Sequence, residues 1–289
     1  MVKYSYTHLD EFFVLSQWEE DVQGPFGLSP PPGDWESFKA KIKTLNDACP
    51  PGERVKVIYA ARHGQAEHNV IADKYGEVGQ MQHPILDPDL TSLGRSQAYQ
   101  TRLALQREVG RGMPLPEKWF VSPLKRAGET CGIEWGWLFH DEYDRDGLKA
   151  WKGGKGHGVD ATVIENIREH LHVHQCDARC PISTLKTQFT SFNYPEGMSD
   201  EDEIWKPVEV RGRETEDELV ARRGEGIREV LERSQNNTYI SITSHSGALR
   251  GIYKSLNVVP RKIIVGEMNV LVIRVKQVPE SNSSLNPGH

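Results

Sequence analysis

Cysteine and long apolar runs are scarce in this sequence of 289 residues, and its 41 acidic residues outnumber its 35 lysines and arginines. Its four cysteines are too few for a disulfide scaffold of this size. No stretch approaches the ~20 apolar residues of a membrane-spanning helix, and the first residues lack the basic start and apolar core of a signal peptide. The net charge of −6 provides no basic field for nucleic acid or acidic lipid. We therefore expect a cytoplasmic or nuclear protein that binds neither nucleic acid nor membrane.

The remaining composition is that of a globular protein. Hydrophobic residues make up 37% and charged residues 26%, and the chain is long enough to bury a sizeable core. Strands are predicted where short apolar segments are rich in β-branched or aromatic residues, and helices where apolar residues recur at helical spacing. Strands that alternate with helices predict a three-layer α/β/α sandwich with a mostly parallel sheet. The predicted strands are Val55–Ala61, Lys118–Ser122, Thr162–Asn166, Thr238–Ser244 and Val270–Val275, and the predicted helices are Trp35–Ala48, Ser92–Val109, Arg126–Phe139 and Glu216–Arg233.

We expect one domain over residues 1–289. Its α/β core spans residues 54–276 and follows a Pro- and Gly-rich N-terminal extension, residues 1–53, which we expect to pack on that core. A polar, irregular stretch at about residues 140–215 suits an insertion over a site. Residues 277–289 are predicted to form a disordered tail.

Polar and charged side chains follow four of the predicted strands. In parallel α/β sheets, ligands bind beyond the carboxyl ends of the strands. The side chains expected there are Arg62, His63 and Asn69 after the first strand, Arg126 after the second, Glu169 after the third, and Ser244, His245 and Ser246 after the fourth. Two arginines, two histidines and a carboxylate on one rim predict an anion site with a nucleophile and an acid.

This set of side chains suits phosphoryl transfer. A neutral His63 imidazole can attack phosphorus in line and form a phosphohistidine, which splits one difficult step into two. Arg62, Arg126 and a protonated His245 would stabilise the charge on the equatorial oxygens. Glu169 would protonate the leaving oxygen and then accept a proton from water. Neither a metal nor another cofactor is required by this chemistry.

Four motifs occur in the right order, each after a predicted strand: "RHGQAEHN", "LTSLGRSQA", "SPLKRAGET" and "SHSG". Together they resemble the histidine phosphatase superfamily, the phosphoglycerate mutase-like enzymes. Two longer stretches, "CPPGERVKVIYAARHGQAEHNV" and "DEIWKPVEVRGRETEDELVARR", resemble its fungal and plant phosphomutase-like branch. The similarity runs from about Val55 to Leu256, so it implies the phosphoglycerate mutase-like fold for the whole core.

The resemblance also implies a role for each matching residue. Members of this superfamily use a nucleophilic histidine, arginines that bind and clamp the phosphate, a second histidine and a glutamate that acts as the acid. The matching positions are His63 for the nucleophile, Arg62 and Arg126 for the clamps, His245 for the second histidine, Glu169 for the acid, and Asn69 for a further phosphate ligand, beside which we place Ser246.

The sequence departs from phosphoglycerate mutases after Glu169. Those enzymes resemble one another in an Asn-Glu-Arg-x-Tyr-Gly stretch, whereas this chain reads "IREHLHVH". The departure favours a phosphatase that hydrolyses a small phosphorylated metabolite. A phosphoglycerate mutase-type phosphotransferase and a non-catalytic protein that binds a phosphorylated ligand are the alternatives. The sequence predicts neither the substrate nor the oligomeric state.

Two local questions stay open at this stage. Glu165 lies about one helical turn before Glu169 and is the alternative acid. The stretch "HLHVHQCDARC" could instead hold zinc, whose sites favour nitrogen and sulfur ligands, because alternate side chains of an extended segment point the same way. The residues of that cluster are His170, His172, His174, Cys176 and Cys180.

Overall fold

A computed structural model describes residues 3–14, 25–29, 34–139 and 158–278. In these ranges, six strands form one sheet and eight α-helices surround it. The strands are β1 (Lys3–His8), β2 (Glu53–Arg62), β3 (Lys118–Val121), β4 (Ala161–Val163), β5 (Tyr239–Ser244) and β6 (Met268–Val278). The helices are α1 (Trp35–Asp47), α2 (Glu67–Gln82), α3 (Ser92–Gly110), α4 (Lys125–Trp135), α5 (Ile182–Gln188), α6 (Val208–Arg211), α7 (Glu216–Arg233) and α8 (Ser246–Ser255).

The sheet is mostly parallel, as the sequence predicts. Its strand order is β1-β6-β2-β5-β3-β4. Strands β2, β5, β3 and β4 pair in parallel, whereas β6 runs antiparallel to both of its neighbours. The carboxyl ends of the four parallel strands therefore lie on one edge of the sheet.

Alternation along β2 produces two cores, one on each face of the sheet. Val57 and Tyr59 pack into a core that includes residues of α1, α4 and α5. Ile58 and Ala60 point to the opposite face, where residues of α7 and α8 complete a second core. This is the three-layer α/β/α sandwich that the sequence predicts. None of the helices in the described ranges has the length and hydropathy to span a membrane.

Polar caps explain where the helices begin. The Thr215 hydroxyl accepts from the amide of Glu218, whose carboxylate accepts in return from the amide of Thr215, so α7 starts with a capping box. Thr91 accepts from the amide of Gly94 at 3.0 Å and starts α3. The predicted helix Arg126–Phe139 is longer than the observed one: α4 ends at Trp135, and Gly136–Phe139 forms a 3₁₀ turn.

The predicted third strand is too long. β4 ends at Val163, and Glu165–Ile167 forms a 3₁₀ turn. The Arg168 guanidinium donates to the Glu165 carboxylate at 2.6 Å and to the Asp202 carboxylate at 2.6 Å. These contacts, the second of them distant in sequence, favour a turn over continued strand.

The two ends of the chain also differ from the prediction. The N-terminal extension contributes a strand that we did not predict, β1, which pairs with β6 at the edge of the sheet. β6 continues to Val278, so the predicted tail loses its first two residues to the sheet. Residues 279–289, and residues 140–157 of the predicted insertion, lie outside the described ranges.

Candidate active site

Parallel pairing of β2 with β5 brings the two predicted site histidines together. Arg62 stands opposite Ser244 in the register, and the amide of His63 donates to the carbonyl of Ser244 at 3.0 Å. His63 and His245 are the next residues of the two segments. Their ring centroids lie 5.0 Å apart, and both side chains are buried.

Gly64 holds the end of β2 against the start of α3. A Cβ atom at Gly64 would lie 2.3 Å from the carbonyl oxygen of Gly94, so no larger residue fits without moving the backbone. The Gly64 amide also contacts α4, since it donates to the Thr130 hydroxyl at 3.1 Å. The motifs "RHG" and "LTSLGRSQA" thus meet in space because two glycine backbones pack directly against each other.

The hydrogen bonding of His63 leaves one ring nitrogen available. Nδ1 lies 2.6 Å from the Gly64 carbonyl oxygen; because that oxygen can only accept, Nδ1 carries the proton, and Nε2 carries the lone pair. Burial lowers the pKa of His63 well below its ordinary value, and the charges of Arg126 and Arg62 act in the same direction. His63 is therefore neutral near pH 7, which is the state that a nucleophile needs.

His245 is also neutral in this structure. Its Nε2 lies 2.7 Å from the hydroxyl of Ser122, and Nδ1 is buried with no hydrogen-bond partner among the described residues. Burial lowers the pKa of His245 well below the usual range, with further contributions from Arg126 and His63. The protonated His245 of our prediction therefore requires the negative charge of a bound phosphate.

The two predicted arginine clamps differ in their surroundings. Arg62 lies in the wall of a cavity and donates to the Ile263 carbonyl at 2.7 Å. Arg126 is completely buried, and its guanidinium donates to the Cys176 carbonyl and the Asp177 carboxylate, both at 2.7 Å. The Arg126 charge acts on His63, while its hydrogen bonds hold the Cys176–Asp177 segment.

Glu169 and Glu165, the two candidate acids, occupy different environments. Glu169 lines the cavity with His63 and accepts from the amide of Gly247 at 3.0 Å. Burial alone would raise the pKa of Glu169, but the Gly247 hydrogen bond and the charges of neighbouring residues hold it below its usual value. Glu165 is paired with Arg168 at 2.6 Å and Arg179 at 3.2 Å. Because Glu165 is held in this ion-pair network, the structure favours Glu169 as the acid.

Asn69 and Ser246, the further predicted phosphate ligands, also line the cavity. Asn69 lies in the first turn of α2, where its side-chain oxygen accepts from the amide of Ala66 at 2.9 Å. Ser246 is the first residue of α8, and its hydroxyl lies 3.5 Å from the Glu169 carboxylate. α8 therefore directs its N-terminus, which attracts anions, at the same cavity.

The cavity has a volume of about 700 Å³ and a surplus of positive charge. The sequence did not lead us to most of its cations, to the buried carboxyl group of Asp177 or to the ring of His68, although His68 lies within the motif "RHGQAEHN". Burial raises the pKa of Asp177 to about 7, although Arg126 beside it acts in the opposite direction. The charged groups of the wall are Arg62, Arg213, Arg250, Arg261 and Lys262 on the positive side, and Glu169 and Asp177 on the negative side. A chain of net charge −6 thus concentrates positive charge at one site.

The histidine–cysteine stretch does not form one cluster. His172 has a positive φ of 75° and its Nδ1 faces the backbone of Lys206, so the segment is not extended and its histidines do not share a face. Cys180 turns away, with its amide donating to Asp87. Only His174 and Cys176 stay together, and Asp177 joins them.

Fold and site together define an α/β sandwich with paired histidines and arginines at the carboxyl ends of parallel strands. Residues 58–183 match the profile of the histidine phosphatase superfamily (branch 1). Phosphoglycerate mutase-like protein 1 of Arabidopsis thaliana is 32% identical over 213 residues, which are 69% of this chain and 71% of that protein. The chain belongs to the histidine phosphatase superfamily.

Fungal relatives are similar over comparable lengths. A probable phosphoglycerate mutase of Arthroderma benhamiae is 28% identical and covers 84% of this chain and 70% of its own length. Another probable phosphoglycerate mutase, from Saccharomyces cerevisiae, is 28% identical and covers 76% of this chain and 79% of its own length. The sequence indicates the fungal and plant branch, and similar proteins are indeed found in both fungi and plants.

Proposed function

We propose that this protein is a metal-independent phosphatase that hydrolyses a phosphate monoester through a phosphohistidine on His63. The observation that carries the proposal is the pairing of His63 with His245, whose ring centroids are 5.0 Å apart beside a cationic cavity. The free Nε2 lone pair of His63 is the nucleophile, and the neutral ring matches the chemistry of attack on phosphorus.

The surrounding cations act on the charge of the transferring phosphoryl group. Arg62 lines the cavity, and Arg126 lies close enough to lower the pKa of His63. Both charges are fixed before substrate binds, so they stabilise the transition state without reorganising. A phosphate dianion beside His245 raises the pKa of that imidazole, which then donates its proton to a phosphate oxygen.

Glu169 transfers the proton to the leaving group. It is a carboxylate in the free site, and a bound phosphate dianion favours its protonated form by repulsion between like charges. As an acid it protonates the leaving oxygen, and as a base it then activates the water that hydrolyses the phosphohistidine. The cavity of about 700 Å³ leaves room for that water and for the rest of a small phosphorylated metabolite.

Trapping of the intermediate tests this function. Purified protein is mixed with a labelled aryl phosphate and quenched rapidly in alkali. We expect an acid-labile, alkali-stable label on His63 and none in the His63→Ala variant. A label on serine, or full turnover without a label, would overturn the proposal.

A phosphoglycerate mutase-type transferase is the second candidate, because curated relatives carry that name. A mutase returns the phosphoryl group to a second ester position, whereas a phosphatase releases it to water. Free phosphate is therefore measured against isomerised product with phosphoglycerate as substrate. Phosphate release without isomerisation supports the phosphatase, and isomerisation without release supports the mutase.

A further inference from the structure

Three potential metal ligands converge on the wall of the cavity, at a turn of the chain. His174, Cys176 and Asp177 each offer one ligand atom, and these atoms lie within 4.8 Å of one another. The turn is a 3₁₀ helix over Gln175–Asp177, closed by the amide of Asp177 donating to the carbonyl of His174 at 3.0 Å. The backbone therefore brings the three side chains together before any ligand binds.

The nitrogen and sulfur of this group are available for coordination. Nε2 of His174 is buried without a hydrogen-bond partner among the described residues. The Cys176 thiol, which makes a hydrogen bond with the Asp177 carboxylate, gives up its proton when a metal ion binds the sulfur. The Asp177 carboxylate thus already lies against the sulfur, and it also accepts from Arg126 through Oδ1.

Space for an ion adjoins the group. A small cavity of about 10 Å³ adjoins the large one and is lined by His174 and Cys176, whereas Asp177 lines only the large one. It is about the size that holds one water molecule. Tetrahedral zinc places its ligand atoms about 3.3–3.8 Å apart, given bond lengths of about 2.0–2.3 Å. Ligand atoms that lie up to 4.8 Å apart must therefore approach by at most about 1–1.5 Å.

We propose that His174, Cys176 and Asp177 form a binding site for a transition-metal cation of the zinc class, with water in the fourth position. Nitrogen, sulfur and carboxylate ligands suit zinc or cobalt, whereas magnesium and calcium favour oxygen alone. The thiolate and the carboxylate balance the two charges of the ion, which offsets the repulsion from Arg126 nearby.

Metal at this site slows phosphoryl transfer, an inference that rests on the proposed function. His174, Cys176 and Asp177 share the large cavity with His63. The backbone carbonyl of Cys176 and the carboxylate of Asp177 also hold the Arg126 guanidinium. An ion bound to these side chains fixes the segment and draws the carboxylate away from Arg126. The site is thus inhibitory, although none of its three ligands is one of the proposed catalytic groups.

Cobalt provides the direct test, since a thiolate bound to Co²⁺ gives a charge-transfer band in the near ultraviolet. The chelator-treated full chain is titrated with Co²⁺. We expect one equivalent to produce that band and Zn²⁺ to abolish it. Cys176→Ser should remove the band, and His174→Ala should weaken cobalt binding at least about 10-fold, because even changes beyond the direct ligands typically cost 10–100-fold in affinity. Circular dichroism and thermal melting verify that both variants fold.

Two nearby residues of the same types are matched controls. Cys180→Ser and His172→Ala should titrate like the parent protein, because neither side chain belongs to the group. A band that persists in Cys176→Ser, or the lack of a stoichiometric band in the parent, would overturn the metal site. Trapping of phosphohistidine is independent of these spectra, so failure of the proposed function and failure of the metal site are distinguishable.

Inhibition is read from the ratio of aryl phosphate turnover with and without Zn²⁺. We expect this ratio to fall in the parent and in Cys180→Ser, and to stay near one in Cys176→Ser. Equal inhibition of Cys176→Ser and the parent would show that zinc acts elsewhere and would contradict the inhibitory role.

Discussion

The imidazole rings of His63 and His245 face each other with centroids 5.0 Å apart, at the ends of two neighbouring parallel strands. Neither ring bears a charge in the free site, because burial and the nearby Arg126 lower both pKa values. Two neutral histidines beside fixed cations are prepared for a ligand that brings its own negative charge. The predictions below test this arrangement.

The pH dependence of turnover should reflect the lowered pKa of His63. In the proposed mechanism neutral His63 is the nucleophile, so kcat/KM should fall as pH drops through its pKa, and that fall should occur below the ordinary value of 6.5. Arg62→Gln removes a cation that lowers this pKa, so the acidic limb should move to higher pH. The ratio of the two pH profiles cancels the ionisation of the substrate. Lys43→Gln, an exposed change on α1, should leave the limb in place.

Glu169→Gln should slow substrates with poor leaving groups far more than an aryl phosphate. An alkyl alkoxide needs a proton as the P–O bond breaks, whereas nitrophenolate leaves without one, and general acid catalysis is typically worth about 10²–10⁴-fold. Steady-state kcat/KM with both substrates measures the contrast. Glu165→Gln is the control, and its effect should be on stability through Arg168 and Arg179. If Glu165→Gln shows the leaving-group contrast instead, Glu165 is the acid.

Gly247→Ala should impair catalysis by displacing Glu169. The new Cβ would lie 2.2 Å from the Glu169 carboxylate and 2.7 Å from the His170 ring. We expect alkyl phosphate turnover to fall about 10-fold or more, approaching the loss of a general acid. Gly224→Ala on α7 is the control, since its Cβ would meet nothing closer than 3.9 Å. That change should keep activity and stabilise the fold by about 0.5–1 kcal/mol. Unchanged alkyl phosphate kinetics in Gly247→Ala would mean that the carboxylate position does not matter.

Removal of metal should not lower turnover, and turnover should rise if the purified protein carries zinc at the inhibitory site proposed above. In the proposed mechanism Arg62 and Arg126 supply the positive charge that a metal ion supplies in metal-dependent phosphatases, and the metal site proposed above does not take part in the chemistry. Activity is measured before and after extensive dialysis against EDTA, with inductively coupled plasma mass spectrometry to follow metal content. Activity that is lost with the metal and restored by zinc would assign zinc a catalytic role.

Salt should weaken the capture of anionic substrates. The cavity wall carries more cations than carboxylates, so attraction of a phosphate ester decreases as ionic strength rises from about 0.01 M to about 0.15 M. We expect kcat/KM to fall over that range and Lys262→Ala to reduce both its low-salt value and its salt dependence. Lys41→Ala, an exposed change on α1, should match the parent. Salt dependence that is equal in both variants would exclude a role for Lys262 in substrate capture.

Local sequence pattern determines much of the fold and the positions of His63 and His245 in the chain. The apolar run before Arg62 becomes β2, and the segment Glu216–Arg233 becomes α7 with the predicted boundaries. Hydrophobic periodicity and helix capping depend on residues that are close in the chain, so both can be read from the sequence. The same pattern places His63 and His245 after two strands, and parallel pairing then makes them neighbours.

Only the tertiary structure decides the surroundings that give these residues their chemistry. Asp177 contacts Arg126 across 51 residues of sequence. Arg168 contacts Asp202 across 34 residues, and this contact favours the turn that ends β4 earlier than the sequence predicts. The left-handed backbone of His172 likewise breaks a regular histidine pattern and leaves His174 and Cys176 with Asp177. The pKa of a buried group depends on desolvation and on charges from several elements at once. A sequence supplies the candidates for such a site, but their distances and burial are set by packing between segments that are far apart in the chain.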